Sequence, residues 1–253
     1  MLGQAIWWSS IAVEILLLVR GLRRRLAFRY PVFYCYLFFV CFQDLLRFVV
    51  YQWHPQLYRN VYWITEFLAL MFGCGVVLEI YRVGLSAFPG TARMVRNALA
   101  FVFALALARG LAEAWTDPRW WLEAATTDVE GVLRAVEALA IVILAVLFLF
   151  YSVPLGKNLR GILLGYGFFV SISVLSLEVV SSAGNWVRDF LSGAYPVSYF
   201  IALSLWLAHL WSYYPNPVPD ASVRLEREYQ RVAAATHRRL QDARGYLARA
   251  VRP

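Results

Sequence analysis

Long apolar runs alternate along this chain with short polar connections rich in arginine. A helix crossing a bilayer needs roughly 20 mostly apolar residues, because the hydrocarbon core is about 30 Å thick. Runs of that length fall near Gln4–Arg20, Tyr30–Gln52, Val61–Arg82, Asn97–Ala114, Gly131–Tyr151, Arg160–Ser182 and Tyr195–Tyr214. The fourth is the weakest, since Arg109 and Gly110 interrupt its far end; Arg109 can snorkel to the interface. The pattern predicts an all-α integral membrane protein with seven transmembrane helices, residues 1–214, followed by a separate tail, residues 215–253.

Composition agrees. Of the 253 residues 61% are hydrophobic and 16% charged, against about a quarter charged in soluble domains. The net charge of +8 comes from arginines flanking the apolar runs, which reads as topology signal and not as nucleic-acid binding. Cys35, Cys41 and Cys74 lie inside apolar runs without CxxC spacing, so buried free thiols are expected. The first run has its charges after it, as a retained span does and a cleaved signal peptide does not.

Lysine and arginine in the short loops fix direction. The first, third and fifth loops carry Arg20, Arg23, Arg24, Arg25, Arg29, Arg82, Arg93, Arg96, Lys157 and Arg160; the others carry Arg59, Arg109, Arg119 and Arg188. The expectation is an N-terminus outside, a C-terminus in the cytoplasm and a multi-pass protein of the plasma (inner) membrane. Trp7, Trp8, Tyr30, Trp53, Tyr62, Trp63, Trp120, Trp121, Tyr213 and Tyr214 cluster at the expected interfaces. The loop DPRWWLEAATTDVEG is long enough for a short helix on the outer surface, as an anchor or a lid.

Three short matches recur in order. Ala12–Glu14 returns as Ala135–Glu137, Phe38–Val40 as Phe168–Val170, and Phe67–Leu70 as Phe200–Leu203. They pair spans one to three with five to seven, leaving span four as an inverting linker in a possible 3+1+3 repeat. Coincidence between apolar segments is the competing explanation.

Charges inside the spans are the candidate chemistry. Glu66 lies about 8 Å below the outer surface and Asp44 about 12 Å, at 1.5 Å per residue. Arg47, Arg134, Glu137 and Glu178 fall in the same layer. A charge facing lipid at mid-span costs about 2.5–3.5 kcal/mol, so these six should turn inward around a hydrated cavity. Asp44 with Arg47, and Arg134 with Glu137, are spaced i,i+3 and can neutralise each other; Glu66 and Glu178 have no partner on their own helices. Asp44, Arg47, Glu66, Arg134, Glu137 and Glu178 are therefore the candidate ligand-binding set, suited to a cationic or amphipathic ligand or to protons. The alternative is an ion-pair network that fixes helix register. Glu79 reads as a snorkelling acid, and Glu14 as an inner gate or a hydrogen bond to a neighbouring helix. Ala69 with Gly73, and Gly161 with Gly165, have small-xxx-small spacing for close packing.

Several chemistries lack their residues. With His209 as the one in-span histidine, neither a bis-His haem nor a zinc hydrolase site is expected. GxSxG, HExxH and a phosphate loop are missing, and span seven has no lysine for a retinal Schiff base. No cofactor or metal is expected, and an enzyme is disfavoured. In the tail, ASVRLEREYQRVAAATHRRLQDARGYLARAVR reads as a basic amphipathic helix that lies on anionic inner-leaflet lipid or engages a cytoplasmic protein. Helix count and direction resemble those of seven-helix receptors and of three-plus-one-plus-three transporters. A receptor-, sensor- or adaptor-like role is favoured over a small-solute or proton-coupled transporter, because matching midspan Pro or Gly breaks are missing.

Overall fold

The computed structural model describes the backbone of residues 2–86, 89–116, 121–150, 155–182, 185–215, 231–236 and 238–239. Side chains are described within these, except at 2–3, 89, 91, 113–116, 121–129, 149–150, 177–182 and 185–195. The described residues are all-helical, without strands. They form α1 (Leu2–Arg23), α2 (Leu26–Arg29), α3 (Pro31–Trp53), α4 (Tyr58–Gly84), α5 (Pro89–Thr116), α6 (Trp121–Phe150), α7 (Lys157–Ser182) and α8 (Asn185–His209), with a 3-10 turn at Pro55–Leu57. Pro31 and Pro55 each open an element, where a missing N–H removes no internal bond. α1 hands over to α2 through Arg25, a non-glycine residue with φ 57°.

Segments of α1, α3, α4, α5, α6 and α7 are long and apolar enough to cross a membrane; in α8 the described apolar stretch is the shorter Pro196–His209. Large apolar side chains also face outward around the bundle, among them Leu16, Phe38, Leu68, Phe101, Val142 and Leu164. A water-soluble protein does not expose such a continuous apolar coat. Hydrocarbon is its solvent, and the protein is a multi-pass membrane protein.

Packing contacts run α1–α3–α4–α6–α7–α8 and back to α1, a closed ring of six helices. α5 packs against α4 and α6 from outside that ring. It buries Phe103 and Ala106, while Phe101, Leu105 and Leu111 stay exposed. Successive helices run antiparallel, so the Pro55–Leu57 turn marks one end of the bundle (the turn end) and Arg20–Arg25 the other (the basic end).

Buried polar groups lock the basic end. Glu79 of α4 places its carboxylate at the start of α3, where the N–H groups of Val32 and Phe33 donate to Oε1 and Oε2 at 3.1 and 2.8 Å. These are donors with no partner inside their own helix, and the helix dipole favours an anion there. Glu79 is thus a cap made in trans, buried to 4% exposure, not the snorkelling acid its position near the span end suggests. Asn158, fully buried on α7, donates through Nδ2 to the carbonyls of His209 and Ser212 at 2.9 and 2.7 Å and so ties off the end of α8. Small residues set the helix spacing: a Cβ on Gly161 would strike His209, and one on Gly165 would strike Trp206.

Some elements differ from expectation. The surface helix expected in 117–131 is absent from 121 onward, because α6 already begins at Trp121; residues 117–120 lie outside those described. The last helix is Asn185–His209, so Tyr213 and Tyr214 follow it instead of closing it. Tyr30 is buried rather than interfacial. Cys41 and Cys74 are buried free thiols as expected, but Cys35 is exposed on the lipid face. Of the C-terminal segment, 231–236 and 238–239 are helical and exposed; the remainder, and with it the expected amphipathic stripe, lies outside the described residues.

The trans cap gives a first test. Glu79→Ala should lower stability by on the order of 2 kcal/mol, by stranding two buried N–H donors. Arg82→Gln should be near neutral, since Arg82 is half exposed and 3.5 Å from Glu79. Unfolding midpoints of the purified variants check both.

Candidate functional site

Where the six ring helices face one another near the turn end, they enclose a cavity of about 360 Å³. Every ring helix contributes to its wall: Trp7 and Ser10 from α1, Tyr36, Gln43, Asp44 and Arg47 from α3, Tyr62 and Glu66 from α4, Glu130 and Arg134 from α6, Phe169 from α7, and Pro196 and Tyr199 from α8. Among the described residues α5 contributes none.

The sequence-predicted charges divide into three groups. Asp44, Arg47, Glu66 and Arg134 line the cavity together. Glu137 lies behind the wall with 0% exposure. Glu178 is in α7, but its side chain lies outside those described.

Their pairing differs from the i,i+3 expectation. Arg47 reaches across to α4, where Nη2 meets Glu66 Oε2 at 2.9 Å. It also donates to Thr65 Oγ1 at 2.9 Å and the Tyr62 carbonyl at 3.1 Å, with its guanidinium 4.4 Å from the Tyr62 ring centre. A guanidinium has five donors in a planar fork, and an acceptor set on α4 satisfies more of them than Asp44 on its own helix can. Glu66 therefore has a partner. Asp44 makes no ion pair among the described residues and opens onto the cavity.

On α6, Arg134 sits between two acids, 3.4 Å from Glu137 Oε2 and 3.9 Å from Glu130 Oε1. Here the i,i+3 pair forms as expected. Glu137 Oε1 points at α4, where a Cβ on Gly73 would lie 2.8 Å from it. That is the reason for a small residue at 73: the backbone must pass close to a buried acid. The hydroxyl of the fully buried Tyr166 crowds the same spot, and its ring meets that of Tyr36 edge to face, centroids 5.9 Å apart.

Glu14 is also 0% exposed, one turn past cavity-lining Ser10 on α1. Tyr199 of α8 donates its hydroxyl to Glu14 Oε1 at 2.7 Å, the neighbour-helix bond anticipated as one of its two roles.

The sequence reading missed Glu130, which it placed in a loop; its signal was the i,i+4 spacing to Arg134, visible only once α6 is extended. It also missed the aromatic wall of Trp7, Tyr36, Tyr62, Phe169 and Tyr199, and Pro196. Trp7 and Tyr62 were placed at the interface and the other rings were not singled out, because no one-dimensional spacing distinguishes a cavity lining from packing. Pro196 removes one backbone N–H inside α8 at the cavity wall.

The chain matches no protein-family model, no curated protein and no solved structure.

The Arg47–Glu66 pair is open to a double-mutant cycle. Each side chain is only 14% exposed, so removing one partner leaves an uncompensated charge. Arg47→Leu and Glu66→Leu should each destabilise more than half the loss of the double variant, with a coupling on the order of 1–2 kcal/mol from their unfolding free energies.

Proposed function

We propose that this protein is a seven-span inner-membrane carrier for small organic cations, built from two three-helix repeats, with its N-terminus outside and α5 as the linker between them. The observation that carries the ligand class is Asp44. It is the acid in the cavity wall with no basic group at ion-pair distance among the described residues, since its neighbour Arg47 is engaged by Glu66, and Trp7, Tyr36, Tyr62 and Tyr199 surround the same space. A carboxylate within an aromatic enclosure suits an ammonium group, which gains from charge and from the ring faces at once. The volume falls in the range of small-ligand pockets, about 300–1,000 Å³.

The repeat reading is supported by where the three sequence matches fall. Glu14 and Glu137, which end the first match, are both fully buried on ring helices. The second match begins two residues after Tyr36 in one half and two after Tyr166 in the other, and these two rings meet at the centre of the bundle. The third follows Glu66 in α4 and Tyr199 in α8, both in the cavity wall, each preceded by a buried hydroxyl residue, Thr65 or Ser198. Two halves facing each other around an axial site is a carrier arrangement, and Pro196 weakens the backbone ladder of the continuous α8 at that site, which the sequence pattern alone did not suggest.

A receptor-like role is the second reading. The tight basic end, held by Glu79, Asn158 and the close glycine contacts, favours a bundle that passes a signal over one that opens a path. Here the basic C-terminal segment would act on anionic lipid or a cytoplasmic partner.

Three measurements test this. Added to purified protein, small primary and quaternary ammonium ions should raise the unfolding midpoint, with about 2.7 kcal/mol of stabilisation at a hundredfold excess over Kd. Asp44→Asn should lose that shift while keeping its own midpoint near wild type. Stabilisation by anions instead, or a shift untouched by Asp44→Asn, would sink the ligand class. Uptake of the stabilising ion into proteoliposomes separates carrier from receptor. For topology, a cysteine at Gln56 in a cysteine-free background should react with an impermeant maleimide on intact cells, and one at Arg24 should not.

A further inference from the structure

The two halves hold the same buried acid and neutralise it differently. On α6, Glu137 is preceded one turn earlier by Arg134, which pairs with it. On α1, at the place corresponding to Arg134, stands Ile11, buried and apolar. Glu14 thus sits in a 0%-exposed position without a cation. The titratable groups facing it are Tyr199 from α8 and Cys41 and Asp44 from α3. One is an alcohol, one a thiol and one a further acid. Glu14 Oε1 accepts from Tyr199, the Cys41 thiol is the other hydrogen-bonding group beside the carboxyl, and Oε2 meets no nitrogen or oxygen donor among the described residues. An ionised carboxylate held this way in an apolar bundle loses its hydration with almost nothing in return.

We infer that Glu14 is a proton-binding site, its proton on Oε2, which exchanges with the cavity by way of the Tyr199 hydroxyl. A neutral carboxylic acid meets each constraint on the page. Its carbonyl oxygen accepts the Tyr199 hydrogen bond, and its hydroxyl bears the proton that replaces the missing arginine. The route out is short. Tyr199 lines the cavity and its oxygen touches Glu14: the carboxyl turns to bring its O–H onto the phenol oxygen, which takes that proton as the phenol releases its own to cavity water. Resting on the carrier reading, the same geometry gives that carrier its exchange partner. A cation seated at Asp44 lies beside Glu14 and expels its proton by repulsion, one positive charge in for one out.

Infrared spectroscopy of the purified protein tests the site without a ligand. At neutral pH the wild type should show the C=O stretch of a protonated carboxyl, and Glu14→Gln should lose it while Glu137→Gln keeps it. Tyr199→Phe should shift the band by removing its hydrogen bond, a readout that survives if Glu14→Gln does not fold. Transfer to D₂O should shift the wild-type band within the time of the measurement. No band in wild type, a band left unmoved by Tyr199→Phe, or a band unmoved by D₂O would overturn the inference. Tetramethylammonium uptake into proteoliposomes under a pH gradient is the companion experiment. With the band and its exchange present but uptake absent, the carrier reading falls and the proton site stands. Gradient-driven uptake equal in wild type and Glu14→Gln overturns the exchange role.

Discussion

An acid buried in an apolar bundle must be neutralised by something, and this fold is organised around how each of its acids meets that demand. Glu79 takes two backbone N–H groups at the start of α3. Glu66 takes Arg47 across a helix boundary, and Glu137 takes Arg134 along its own helix. Glu14 has the Tyr199 hydroxyl and the Cys41 thiol, and no cation among the described residues. Each solution joins particular helices: α4 to α3 at both ends, α6 to the space behind Gly73, α1 to α8. Lipid offers no force that pushes one apolar helix against another, so these polar contacts, with the close glycine crossings, select which faces meet.

Because one ring helix after another is tied to its neighbour in this way, α5 can be left out. Among its described side chains it carries no buried acid, and it packs by Phe103 and Ala106 as its buried apolar side chains. The cavity is correspondingly a product of the ring: six helices each give it wall, and the described residues of the helix outside the ring give none.

Much of this was legible in the sequence, for a physical reason. Length and hydropathy of a spanning helix are dictated by bilayer thickness, so α1, α3, α4 and α7 could be placed within a few residues, while α5 and α6 begin eight and ten residues before their apolar runs. The inward turn of Asp44, Arg47, Glu66 and Arg134 followed from the cost of charge in lipid. Partner choice was not legible. The i,i+3 rule made the right pair on α6 and the wrong one on α3, because Arg47 finds Thr65, Tyr62 and Glu66 together on α4, and interhelical registry is not written in one helix. Glu79 was misread for the same reason: a cap in trans requires knowing which helix starts beside it. Glu130 was lost to a loop boundary, since its turn of α6 is polar and carries no apolar period.

The cavity also has an electrical consequence. A polar space of this size holds roughly a dozen waters at their liquid volume of about 30 Å³ each, placed within the thickness of the apolar layer. On the carrier reading, with the turn end outside, that water carries the external potential inward and the membrane voltage falls mainly across the dry remainder, from the buried tyrosines Tyr36 and Tyr166 to the clamp at Asn158. A unit charge crossing that remainder still does the full work of about 2.3 kcal/mol per 100 mV, but over a fraction of the distance. The field there is steeper than the bilayer average, and the residues that stand in it, more than those in the vestibule, are where this protein feels the state of the membrane.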